Sequence, residues 1–170
     1  GDADLKEKLE RIKSAKPDVL YLPSFHKEVV GHAALSREIG IKATLLGTDG
    51  WDQRVVPNLK DFNDSYYSLH WSPLVDTDES RLFMENYQKK FNQQPNGTAA
   101  LSYDAIQLVL RSMQLQQKTD SEAVRNGLLK LSSYPGVAGD IDFVDSGDPQ
   151  KRVLVVRVKD GENRFFRFVN

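Results

Sequence analysis

Three short apolar runs, at residues 19–22, 44–46 and 66–71, are separated by segments whose apolar residues recur at helical spacing. No other feature limits this chain's fold so tightly. Strands joined by helices long enough to be crossovers call for a parallel sheet with right-handed connections, and so an α/β fold. Asp4 reads as the cap of a first helix, with Leu5, Leu9 and Ile12 on one face and Lys16-Pro17 at its end. Residues 27–39 read as a second helix, with Val30, Ala33 and Ala34 toward the sheet and Gly40 just past its end. A short helix is expected over residues 55–59.

Beyond Ser72-Pro73 the pattern changes. Residues 79–91 form an amphipathic helix with Leu82, Phe83, Tyr87 and Phe91 on its apolar side. Asn92-Gln93-Gln94-Pro95-Asn96-Gly97 is the clearest loop and the expected crossing point between two lobes. A long helix follows over 98–116, with Ala105, Leu108, Val109 and Met113 apolar. A shorter one spans 121–131, capped by Asp120 or Ser121. A strand over 139–144 leads into the turn Asp145-Ser146-Gly147-Asp148-Pro149. Residues 152–158 and 164–169, joined by Asp160-Gly161-Glu162-Asn163, form a terminal hairpin.

The loop Leu46-Gly47-Thr48-Asp49-Gly50-Trp51-Asp52 follows the second apolar run, and Ser24-Phe25-His26 follows the first. In an open α/β sheet the loops leaving the carboxyl ends of parallel strands form the ligand crevice. Phe25, His26, Asp49, Gly50 and Trp51 are therefore the candidate binding residues. One anion among several rings suits a cationic group on a modest apolar body. Two readings of Asp49 stand: a carboxylate ordering its own loop as an Asx turn or helix cap, or one aimed at a ligand cation. Gly47 and Gly50 allow close backbone approach, while Asp52 reads as a cap for the short helix after it. His32 reads as structural.

Composition removes other classes. With no cysteine, disulfides and thiolate chemistry are out, and a net charge of −1 gives no field toward nucleic acid. No apolar run approaches the roughly 20 residues of a membrane span. His26, His32 and His70 show no metal spacing. Asp140, Asp142, Asp145 and Asp148 lack the glycine and glutamate of a calcium loop and read as a turn. No nucleophile elbow, phosphate loop or dinucleotide fingerprint is present, so neither an enzyme nor a cofactor is expected. The opening Gly1-Asp2-Ala3-Asp4-Leu5 is a helix-cap sequence without a signal peptide, the expected signature of a fragment whose first part is missing.

In order, Pro17-Asp18-Val19-Leu20-Tyr21-Leu22-Pro23, Leu45-Leu46-Gly47-Thr48-Asp49-Gly50-Trp51-Asp52, Ala100-Leu101-Ser102-Tyr103-Asp104-Ala105, Gly136-Val137-Ala138-Gly139 and Asp145-Ser146-Gly147-Asp148-Pro149 resemble one family. The chain resembles the carboxyl-terminal half of a type I periplasmic binding protein of the leucine/isoleucine/valine-binding kind, the component that feeds ABC importers. The resemblance implies an incomplete, layered α/β lobe with a parallel sheet and a terminal β-hairpin. It places residues 1–97 in the second lobe, 98–150 in the first and 151–170 back in the second. Asp49 would hold the α-ammonium of an amino acid-like ligand. Phe25 stands where tyrosine is common, losing a hydroxyl but keeping a stacking face. His26 stands where a second aromatic is common and would favour a more polar ligand.

The same resemblance implies a periplasmic or extracellular location, closure of two lobes on the ligand, and membrane subunits of the importer as partners. The groups that grip the ligand's carboxylate in this family belong to the part not represented here, so impaired binding is expected. A truncated sheet exposes an edge, which makes a homodimer of the fragment an expectation too. Two other classes stay open on the residues: a ligand-sensing module of a receptor or regulator, and a hydrolase using Asp49 or Asp52 with His26.

Overall fold

The computed structural model describes residues 2–51, 53–143 and 147–170, with Asp2, Ala3 and His26 described through their backbone alone. The elements run α1 (Asp2–Ser14), β1 (Val19–Tyr21), α2 (His26–Glu38), β2 (Thr44–Gly47), β3 (Tyr66–Leu69), α3 (Asp78–Phe91), α4 (Gly97–Gln116), α5 (Ser121–Leu128), β4 (Tyr134–Gly136), β5 (Gly139–Phe143), β6 (Pro149–Gln150), β7 (Val153–Lys159) and β8 (Glu162–Val169). Two short 3-10 turns, Val56–Asn58 and Lys60–Phe62, stand where the sequence suggests one helix over 55–59. The chain divides into two compact units. One joins the residues up to Leu69 with Val155–Arg167; the other joins His70–Leu154 with the last three residues.

The first unit is built on a five-stranded sheet in the order β1-β2-β3-β7-β8. β1 pairs with β2, and β2 with β3, in parallel, as crossover helices require. β7 and β8 meet at a tight turn in which Asp160 (φ 52°) and Gly161 (φ 83°) both take left-handed conformations, the pairing a two-residue hairpin needs. Leu20 and Leu45, register partners, are buried on one face, together with Tyr67, Val156 and Val158. α2 turns Ala33 inward as expected, but with Val29 and Ser36 beside it in place of Val30 and Ala34. α1 begins at Asp2, so Asp4 is not its cap but an intrahelical partner of Lys8 at 2.7 Å. Arg37 staples the base of this unit, its guanidinium donating to the carbonyls of Ile41 (2.8 Å), Ala43 (2.8 Å) and Asp61 (3.2 Å).

The opposite face of this sheet is bare at Tyr21 and Leu46. Tyr21, Leu46 and Tyr66 form one register row across three strands. Tyr21 and Leu46 are exposed, and the ring of Phe166, on β8, lies 4.9 Å from that of the half-buried Tyr66. Parallel strands are ordinarily covered on both faces, so this one presents apolar and aromatic surface that a second layer would cover.

The second unit begins at His70, ahead of the loop at residues 92–97. Aromatic packing is the reason α3 groups with α4: Phe83 meets Trp71 at 5.9 Å and Tyr103 at 5.2 Å. Thr77, Asn96 and Asp120 cap α3, α4 and α5 through side-chain oxygens. The buried face of α4 is Ala100, Asp104, Leu108 and Ser112. Leu108, Leu131 and Ile141 form a second small core. β4, β5 and β6 form an antiparallel sheet. β4 and β6 are too short to give a sequence signal. The buried carboxylate of Asp104 closes the β4–β5 turn, accepting from the N–H groups of Val137 (2.7 Å) and Ala138 (2.9 Å). Val144, Asp145 and Ser146, assigned from sequence to the end of a strand and the start of a turn, lie outside the described residues. Asp142, on β5, accepts from the N–H of Ser133, the residue before β4.

Candidate functional site

β1 and β2 run parallel, and the ladder continues one residue beyond β1, with the Leu22 N–H donating to the Leu46 carbonyl at 2.8 Å. Both chains then leave the sheet on the same side. From β1 come Pro23, Ser24 and Phe25; from β2 come Thr48, Asp49, Gly50 and Trp51. The two loops touch. A Cβ placed on Gly50 would sit 3.3 Å from Phe25 Cδ1 and 3.4 Å from the Ser24 carbonyl oxygen.

Phe25 stands at the amino end of α2, and its carbonyl accepts from the N–H groups of Glu28 and Val29. The residue is 77% exposed, so it does not pack in the core. Asp49 is exposed at the tip of the second loop. Thr48 closes the turn beneath it: the hydroxyl accepts from Gly50 N–H (3.3 Å) and the carbonyl from Trp51 N–H (3.0 Å). The described geometry thus brings Phe25, Asp49 and Gly50 together at the carboxyl ends of two parallel strands. His26 opens α2, and its side chain lies outside the described atoms, as does the whole of Asp52.

Trp51, expected as an apolar wall for a ligand, lies beneath the loop. It is 1% exposed, its ring packing on Phe62 (4.9 Å, edge-on) and Tyr67 (5.4 Å) while Nε1–H donates to the Leu22 carbonyl at 3.0 Å. Gly47 makes room for it, because a Cβ there would lie 2.0 Å from the indole. Farther along, the Gln53 carbonyl accepts from Asn163 Nδ2 at 2.7 Å, and Asn163 Oδ1 accepts from the Tyr67 hydroxyl at 2.9 Å. On the β1 side, Ser24 Oγ lies 3.1 Å from His32 Nδ1.

Sequence reasoning missed these supports. Asn163 is 110 positions from Gln53 and 96 from Tyr67, and no local pattern links residues so far apart. Among the described residues no group of three metal-ligating side chains converges. The described crevice can offer a carboxylate, an aromatic face and backbone polar groups to a small ligand.

A sequence profile described as periplasmic binding protein matches residues 1–163. Among solved structures, the chain is similar to a leucine-binding protein of Thermotoga maritima, with 25% identity and a TM-score of 0.88 over all of this chain and 49% of that one. It also resembles in fold an ABC transporter substrate-binding protein of Desulfitobacterium hafniense solved with Leu (19% identity, TM-score 0.79, 96% of this chain and 48% of that one). A leucine-, isoleucine-, valine-, threonine- and alanine-binding protein of Pseudomonas aeruginosa is 19% identical over 87% of this chain and 40% of its own length. The chain therefore spans about half the length of the relatives it matches, or less. Because that profile covers nearly the whole of it, this chain belongs to the periplasmic binding protein family.

Proposed function

We propose that this chain carries part of the binding site of an extracytoplasmic solute-binding component of an ABC importer, and that the solute is an amino acid or a similar small polar molecule. The observation that supports the reading is that the loops leaving the parallel strands β1 and β2 lie side by side, a Cβ built on Gly50 falling 3.3 Å from the ring of Phe25, with Asp49 exposed next to Gly50. In this reading Asp49 neutralises a ligand ammonium by a charge-assisted hydrogen bond, Phe25 lies against the apolar part, and His26 tunes polarity. Trp51 fixes the loop from below. The names of the relatives, which bind leucine and other small amino acids, support the ligand class.

Groups that grip the ligand's carboxylate are taken to lie in the half of the relatives that this chain does not span, so the chain alone binds weakly or not at all. In the intact parent, ligand would shift the population toward a closed clamp. The test is titration calorimetry on a polypeptide spanning the full length of the relatives, with L-leucine as the first probe of an amino acid panel. Asp49→Ala is expected to weaken binding by at least about 2 kcal/mol, the scale of a charged hydrogen bond. Equal affinities in the two proteins would overturn the assignment.

A further inference from the structure

We infer that Asn163, in the carboxyl-terminal hairpin, is a positioning residue for the Asp49 loop; this rests on the ligand-facing role proposed for that loop. The loop leaves β2 at Gly47 and carries Asp49 at its tip, and besides the local Thr48 turn it has two distant fixed points. The first is Trp51, whose indole N–H reaches back to Leu22. The second is the Gln53 carbonyl, which receives the amide N–H of Asn163 at 2.7 Å. A carbonyl can only accept, so the amide nitrogen of Asn163 must face Gln53 and its oxygen must face the Tyr67 hydroxyl.

Tyr67 joins the two anchors. Its hydroxyl donates to Asn163 Oδ1 at 2.9 Å, and its ring, wholly buried, packs on the Trp51 indole at 5.4 Å. One chain of contacts therefore runs from Asn163 through Tyr67 to Trp51, and a second runs directly from Asn163 to Gln53. Asp49 sits two residues before the first anchor. The hairpin turn Asp160-Gly161 sets the register that places Asn163 here, with the Asp160 N–H held by Asn63 Oδ1 at 3.0 Å. The last strands of the chain thus determine how firmly a loop more than a hundred residues earlier is held.

No ligand is needed to test this. The chain has two tryptophans, Trp51 and Trp71, so biosynthetic fluorotryptophan gives two fluorine resonances, assigned with Trp71→Phe. Trp71 lies in the other unit, bonded to Ser80, and serves as an internal control. In Asn163→Ala the Trp51 line is expected to shift and broaden while the Trp71 line stays put. Amide exchange across residues 48–55 should quicken by about fivefold, the worth of one ordinary hydrogen bond, with α2 unaffected. Asn163→Asp keeps the acceptor for Tyr67 but loses the donor to Gln53, so it should loosen the loop as much as alanine does.

Tyr67→Phe preserves the ring and removes only the hydroxyl. It should shift the Trp51 line in the same direction by less, and it carries the test if Asn163→Ala does not fold. Wild-type resonances and loop exchange in both variants would overturn the inference. So would loosening of α2 equal to that of the loop, which would mark Asn163 as a general structural residue. Failure of the ligand reading would show separately, in the calorimetry of Asp49→Ala.

Discussion

The indole N–H of Trp51 donates to the main-chain carbonyl of Leu22 at 3.0 Å, fastening the residue that ends the second loop to the residue that follows β1. The two loops are thereby tied to each other, and Gly47 is the residue that lets the ring in. Gly47→Ala would place a methyl 2.0 Å from the indole. The ring cannot stay, so a loss of about 3 kcal/mol is expected, the upper end of overpacking costs. Trp51→Phe keeps most of the packing and loses the hydrogen bond, for about 1–2 kcal/mol. Urea denaturation checks both; a Gly47→Ala protein as stable as wild type would mean that the ring does not lie against Gly47.

Asp104 gives a pH dependence of definite sign. Burial pushes its carboxyl above the ordinary value of 3.8, against the opposing pull of the Ala138 and Val137 N–H groups and the Lys151 charge. A carboxyl whose folded value is raised binds its proton more tightly in the folded state, so its contribution to stability is largest below 3.8. That contribution declines as pH rises from there through the raised folded value. The stability difference between wild type and Asp104→Asn should therefore move against wild type over that window. Urea titrations at several pH values read the slope, and a slope of opposite sign would refute the direction. Asp104→Ala, which orphans two buried N–H groups, should cost on the order of 2–3 kcal/mol.

Arg37 reaches three carbonyls through one planar group, a geometry that lysine cannot copy. Arg37→Lys is expected to lose about 2 kcal/mol, close to the loss in Arg37→Met. A lysine variant with full stability in thermal melts would show that charge alone, not the fork, does the work.

The row Tyr21, Leu46 and Tyr66, with the ring of Phe166 against Tyr66, predicts surface behaviour. The chain should bind an apolar fluorescent dye and self-associate as concentration rises. The double substitution Tyr21→Lys and Leu46→Lys should suppress both. It should change stability by less than about 1 kcal/mol, because both side chains are exposed. Light scattering that shows a monomer at every concentration, in wild type as in the variant, would mean that the bare face is not adhesive.

What the sequence determines by itself is local. Apolar runs separated by helical segments specify three parallel strands and their crossovers, Asp120 or Ser121 marks the start of α5, and Asp160-Gly161-Glu162-Asn163 marks a terminal hairpin, of which the structure keeps only Asp160-Gly161 as the turn. The adjacency of Phe25 and Gly50 is also legible there, since loops leaving neighbouring parallel strands must meet. Tertiary structure alone decided which face of α2 is buried, that the chain's compact units divide at Leu69, and that Trp51 lies under its loop. It also decided that Arg37, Asp104 and Asn163 find partners 24, 33 and 110 positions away. The reason is physical. Helix period, caps and turns are settled by groups within a few residues of one another. A buried polar group must be satisfied by whatever backbone the packing brings beside it, and that neighbour has no fixed spacing in the chain.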